Sequence, residues 1–203
     1  MYIPAHFVNN DSEEIHSFIR ANSFAILITS GGDILASHIP LELSPDGKTL
    51  SGHLSKANLQ ARMLKEGEPS LCIFNGPHAY VSSSWYDHEN VPTWNYIAVH
   101  VKGRIKLIEG DDLVQRLSEI VDKYEANSEK PVSVKSMSRD YLTRHLNGII
   151  GFDIDIQFME AAYKLSQNRN KTNHDNIIKR LEMRGDHNSS SIAHEMKKRA
   201  PNT

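Results

Sequence analysis

Ile150-Gly151-Phe152-Asp153-Ile154-Asp155-Ile156-Gln157-Phe158 places an apolar side chain at every second position. Successive side chains of a β-strand point to opposite faces, so this period predicts one strand with a core face and a wet face formed by Gly151, Asp153, Asp155 and Gln157. Working back along the chain, residues 96–108 read as a second long strand, in which Gly103 predicts a bulge or a barrel corner. Residues 71–74 and 79–83 read as two further strands. Residues 24–29, the turn Ser30-Gly31-Gly32-Asp33 and residues 34–43 read as a hairpin, broken or bent at Pro40. The turn Ser44-Pro45-Asp46-Gly47 then leads to a short strand over 50–54, followed by a helical stretch over 58–65 that stops at Gly67.

Helical periodicity appears in fewer places. Asp11 and Glu14 have capping-box spacing before the stripe Ile15, Phe18, Ile19, which predicts a short helix ending near Asn22. Leu113, Leu117, Ile120, Val121 and Tyr124 predict a helix over 111–125, and Ser138 can cap a shorter one through Asn147. Two more helices are expected over 175–183, closed by Gly185, and over 190–199. Antiparallel strands with interspersed helices predict an α+β fold, a barrel with helices packed outside it and a helical C-terminal tail. One domain is expected over 1–167, with 168–203 as its basic helical appendage.

Composition narrows the function. The chain has 203 residues, 39% of them hydrophobic, enough for one substantial core. A net charge of −2 provides no global attraction to nucleic acid or anionic lipid, so such binding would need a local patch. The single cysteine, Cys72, lies in the apolar run Leu71-Cys72-Ile73-Phe74 and reads as a buried thiol in a reducing compartment. Met1-Tyr2-Ile3-Pro4 is unlike a signal peptide and no run has membrane-spanning length, so a cytoplasmic protein without a membrane partner is expected. The chain has no G-x-S-x-G, C-x-x-C, P-loop or G-x-G-x-x-G motif, and its eleven histidines are scattered, so no metal site is expected.

Three polar segments stand out. In Leu50-Ser51-Gly52-His53-Leu54-Ser55-Lys56-Ala57-Asn58 a strand gives way to a helix, and free amides beside a hydroxyl and an ammonium suit a phosphate. Equally, Ser55 or Asn58 could simply cap the helix and leave Lys56 solvated. Val91-Pro92-Thr93-Trp94-Asn95-Tyr96 could wall a flat heterocycle or pack as an ordinary loop. Lys164-Leu165-Ser166-Gln167-Asn168-Arg169 crowds donors and acceptors where a plain connector would not, which suggests a ligand or subunit contact.

Asn75-Gly76-Pro77-His78-Ala79-Tyr80-Val81-Ser82, with Trp85-Tyr86, the Val91 to Tyr96 segment and Val99-His100, resembles the central signature of the PaiB family of FMN-binding negative transcriptional regulators. Met1-Tyr2-Ile3-Pro4-Ala5-His6-Phe7, Ser37-His38-Ile39-Pro40-Leu41, Gly52 to Asn58 and the Lys164 to Arg169 segment are similar to its other motifs, in order. Two positions depart from the pattern: Leu59 stands where proline is expected, and Ala162 where a bulkier or basic residue is. The resemblance implies a split β-barrel related to the pyridoxamine-phosphate-oxidase-like flavoproteins, and a homodimer holding FMN between its subunits. It implies that Ser55, Lys56 and Asn58 receive the phosphate, that Ser37, His38 and Ile39 lie along the isoalloxazine, and that His53 is among the cofactor-binding residues. Trp94, Asn95, Gln167 and Arg169 would complete the pocket, from the same chain or its partner.

A regulator is the leading reading. The others are a flavin-dependent oxidoreductase and a barrel whose flavin site has decayed. DNA contact would fall to the tail over 168–203, which carries eight Lys or Arg against four Asp or Glu. Its helix pair superficially suggests a helix-turn-helix, although Ile177, Ile178, Leu181, Ile192 and Met196 also supply ordinary packing faces.

Overall fold

Asp11 begins the first helix as its spacing predicts: its Oδ1 accepts hydrogen bonds from the N–H groups of Glu13 and Glu14, both at 3.0 Å. The computed structural model describes residues 1–199; residues 200–203, the end of the expected tail, lie outside them. In chain order the elements are β1 (Val8–Asn9), α1 (Ser12–Ala21), β2 (Phe24–Thr29), β3 (Leu35–Pro40), β4 (Glu42–Leu43), β5 (Thr49–Ser55) and β6 (Pro69–Val81). They continue with β7 (Thr93–Ile108), α2 (Gly110–Glu125), α3 (Arg139–Leu146), β8 (Ile149–Lys164), α4 (Lys171–Arg184) and α5 (His187–Lys197). The sheet order is β3-β2-β6-β7-β8-β5-β4, with β1 pairing on β8. The fold is the expected α+β arrangement around antiparallel strands.

The residues gather into two compact units. One comprises Met1–Phe18, Phe74–His100 and Glu160–Thr203, the other Ile19–Ile73 and Val101–Met159, so β6, β7 and β8 each contribute a stretch to both. In the second unit the hairpin pairs Ala25 with Ile39 and Leu27 with Ser37, and β5 pairs Leu50 with Ile154 and Gly52 with Phe152. Leu27, Leu41, Leu50, Ile105, Phe152 and Ile154 close its core. A Cβ on Gly52 would come 2.7 Å from Leu41 Cδ2, which is why that strand position has no side chain. In the first unit α4 and α5 pack through Ile177, Leu181, Ile192 and Met196, all fully buried. Gly185, with φ of 72°, terminates α4 in the left-handed conformation that glycine adopts without strain.

Several expectations change. The stretch over 58–65 is only a 3-10 turn, Leu59–Met63, because Gln60 turns into the core instead of lying on a helix surface. Its Nε2 donates to Leu27 O at 3.1 Å, Thr29 Oγ1 at 3.1 Å and Leu35 O at 3.2 Å, tying the turn to the hairpin. The strands over 71–74 and 79–83 are one strand, β6, which runs through Gly76 where the Phe18 ring packs so closely that a Cβ would lie 2.6 Å from it. The wet face of β8 is partly dry. Asp153 is buried, its Oδ1 accepting from Ser51 Oγ at 2.6 Å, and Arg116 of α2 pairs with its Oδ2 at 3.3 Å. Phe158, expected on the core face, is exposed with the Lys102 ammonium 5.8 Å above its ring. The strand outruns the surface that covers it, so the alternation stops reporting burial there.

Cys72 is fully buried, and burial pushes its thiol far above the usual range, as expected of an unreactive thiol. Among the described residues no helix is long and apolar enough to cross a membrane.

Candidate functional site

In the unit built from Ile19–Ile73 and Val101–Met159, β5 ends at Ser55 and the chain turns on its own side chains. The Lys56 N–H donates to Gly148 O at 2.9 Å, the Ala57 N–H to Ser55 Oγ at 3.2 Å and the Asn58 N–H to Ser55 O at 2.9 Å. The amides expected to be free for an anion are therefore largely committed, and a 3-10 turn of five residues carries no helix dipole of consequence. That part of the expected phosphate site is corrected. Its side chains remain open: Ser55 and Lys56 are exposed, and the Lys56 ammonium has no hydrogen bond or ion pair with a described residue. Asn58 Oδ1 accepts from the Gln60 N–H at 2.9 Å, while its Nδ2 donates to Ser37 Oγ at 2.9 Å. This bond brings the Ser37 motif and the Lys56 motif together. An unpaired ammonium flanked by hydroxyls fits a phosphate dianion, since nothing has to be displaced to admit it.

The strand β3 carries Ser37, His38 and Ile39, whose side chains alternate across the sheet. Ile39 is buried in the core, whereas His38 is exposed with its ring 6.2 Å from that of Phe24. Their side chains cannot all line one ring. As the terminal strand of the sheet order, β3 has an edge with no strand partner, and that backbone edge is what the three residues share. His53 is half-buried opposite Gly151, and burial lowers its pKa, which leaves the imidazole neutral near pH 7. Gln60, which braces this turn, was not singled out in the sequence. A lone glutamine in a helical-looking stretch gives no signal there.

In the other unit the expected residues divide into outward and inward groups. Trp94 is half exposed, its ring 5.5 Å from that of His78 and 6.0 Å from that of Tyr80. Asn95 is fully buried: its Nδ2 donates to Ser166 Oγ at 3.0 Å and to Met196 Sδ at 3.5 Å, and its Oδ1 accepts from Ser166 Oγ at 3.1 Å. Gln167 is buried too, accepting from the Leu165 N–H at 2.8 Å and donating to Tyr163 O at 2.5 Å. These two residues hold the loop in shape, their side-chain amides bonded within the loop and its neighbours. Leu165, fully buried, anchors the segment. Arg169 does reach outward, its Cζ 5.1 Å from the centroid of Tyr86.

The tail helices use most of their positive charge internally. Lys171 pairs with Asp175 and Lys198 with Glu195, both at 2.6 Å; Lys197 pairs with Glu182, and Arg199 with Glu195 and Glu14. Arg184 donates to Tyr80 O at 3.0 Å and lies over the Trp85 ring. Asp186 follows Gly185 directly and caps α5, its Oδ1 accepting from the Ser189 N–H at 2.9 Å. The connection is thus shorter than the three or four residues usual between the helices of a DNA-binding pair. No cluster of three or more His, Cys, Asp or Glu able to hold a metal occurs among the described residues.

Residues 1–158 match the sequence model of the family described as "Putative FMN-binding domain". The chain is 42% identical over 199 residues to protease synthase and sporulation protein PAI 2 of Bacillus subtilis, covering 97% of this chain and 96% of that one. Among solved structures it is similar to the FAD and heme binding protein of Mycobacterium smegmatis, with a TM-score of 0.61 and 16% identity over 77% of this chain and 73% of that one. It is similar also to the flavocytochrome Anf3 of Azotobacter vinelandii, with a TM-score of 0.60 and 15% identity over 80% and 72% of the two chains.

Proposed function

Because this chain belongs to the PaiB-type FMN-binding family, we propose that it holds FMN through the Ser37, Ser55, Lys56 and Asn58 cluster and acts as a flavin-containing regulator. The observation that carries the reading is the unpaired Lys56 ammonium at a turn that already satisfies its own backbone. Lys56 and Ser55 meet the phosphate, Asn58 keeps Ser37 against the turn, and the free edge of β3 lies along the ring. FMN bound there would supply reversible one- or two-electron chemistry.

The deciding measurement is the visible spectrum of the full-length protein after FMN is added and free flavin is removed. Retained flavin absorbance at about one FMN per chain is the expected result, and none retained would make this a barrel whose site has decayed. The homodimer belongs to the same reading, and light scattering at micromolar concentration should give twice the chain mass. A monomer mass would count against it. A cytoplasmic location fits a regulator of this kind. DNA contact through the tail gains little from its charge, since among the tail's cations only Lys179 and Arg180 lack a role described above.

A further inference from the structure

The stretches over 85–90 and 164–176 lock against each other. The Asp87 N–H donates to Asn173 Oδ1 at 3.1 Å, Asn173 Nδ2 donates back to Asp87 Oδ1 at 2.8 Å, and Asn176 Nδ2 donates to the Trp85 carbonyl. Two cations at this seam have no acid. Lys164 donates to Thr93 Oγ1 and Arg169 covers the Tyr86 ring, and neither forms an ion pair with a described residue. Of the acids on the same stretches, Asp87 is engaged with Asn173 and with His88 at 2.7 Å and Asp175 with Lys171, while Glu89 is exposed and pairs with neither cation. Burial, and then the nearby charge of Arg169, hold the Lys164 pKa below its ordinary value. Two half-buried like charges repel, so the seam is strained electrostatically while nothing negative sits beside them.

An independent observation lies in the polar atoms left without partners. The Tyr86 hydroxyl, in a residue only 9% exposed, and Asn90 Nδ2 are buried and unbonded among the described residues. A buried donor without an acceptor is costly, and a bound ion or ligand is one way in which such an atom is satisfied. Both are donors, as are Lys164 and Arg169. An acceptor carrying negative charge is the one partner that would satisfy these donors and both cations together.

We propose that Lys164, Arg169 and the Tyr86 hydroxyl form a second anion site, which receives the oxyanion group, phosphate or carboxylate, of a small ligand other than FMN. The planar guanidinium suits two oxygens of such a group, and the ammonium adds a point charge. The site has its own reporters, because the only two tryptophans of the chain flank it. Trp85 precedes Tyr86, and Trp94 follows the threonine that holds Lys164.

The test is a titration of the full-length protein with sodium phosphate and with sodium acetate, followed by tryptophan emission, with sodium chloride as a control of equal ionic strength. A saturable response to phosphate alone assigns a phosphate-bearing ligand, and saturation by acetate as well assigns a carboxylate. Arg169→Met and Lys164→Met should each weaken binding about tenfold or more, and Tyr86→Phe, which keeps the ring, roughly threefold or more. Lys56→Ala should leave the response in place, which separates this site from that of the flavin phosphate. Anion saturation in a protein that takes up no FMN would still support it. The proposal is overturned if chloride gives the same response, or if both methionine variants keep the parent affinity. It fails equally if those variants lose FMN as Lys56→Ala does, since the two cations would then belong to the flavin.

Discussion

In Lys56→Ala the dissociation constant for FMN rises roughly ten- to a hundredfold, corresponding to about 1.5 to 3 kcal/mol for hydrogen bonds to a charged group. The cause is local. The turn after β5 has bonded its own amides to Gly148 O, Ser55 Oγ and Ser55 O, so the positive charge offered to a phosphate resides almost wholly in one ammonium. Riboflavin, which lacks the phosphate, should bind parent and variant alike. The folded state should not notice the change, because the side chain is exposed and joins no ion pair among described residues. Flavin fluorescence titrations of both ligands against both proteins make the comparison. An FMN affinity unchanged in the variant would remove Lys56 from the site.

That Lys56 could be singled out at all reflects what a sequence carries well. Residue type and spacing along one segment are legible, and so was the strand ending at that turn. The amides were misjudged because the partner of the Lys56 N–H is Gly148, remote in sequence, and because Gln60 prefers the hairpin's carbonyls to a helix surface. A helix needs its polar side chains outside. Once Gln60 is drawn in, the stretch shortens to a 3-10 turn and its dipole goes with it.

The same limit explains Asn95 and Gln167. Polar residues crowded on a loop look alike in sequence whether they face a ligand or each other, and the bond that decides the question for Asn95 joins it to Ser166, 71 positions away. Gln167 folds back on Leu165 and Tyr163, a local bond that requires the loop's bend to be known, including Ser166 at φ of 61°. Arg169 and Tyr86 meet across a comparable separation, and nothing in either segment announces the other. Periodicity fared better. The alternation over 150–158 located its strand, and it misled where α2 covers Gly151 and Asp153 and where Phe158 extends past the cover.

Gly103 supports the largest expected change in stability. It was read as a bulge or corner of β7, and the structure shows why a side chain is excluded. A Cβ there would lie 2.5 Å from Asp155 O and 2.5 Å from Ile154 Cγ2, both contributed by β8. One of those neighbours is backbone, so relief requires moving a strand and not just rotating a side chain. Gly103→Ala should therefore destabilise the fold by about 3 kcal/mol, the upper part of the range for overpacking, which for a chain of this size lowers the melting temperature by roughly 6 to 12 °C. Gly31→Ala is the matched control. A Cβ at Gly31 meets nothing nearer than 3.6 Å, and the loss of unfolded-state entropy that alanine brings should leave its melting point within about 2 °C of the parent or slightly above. Calorimetry of the three proteins gives the comparison, and a Gly103→Ala variant that melts with the parent would mean that β7 and β8 do not approach this closely.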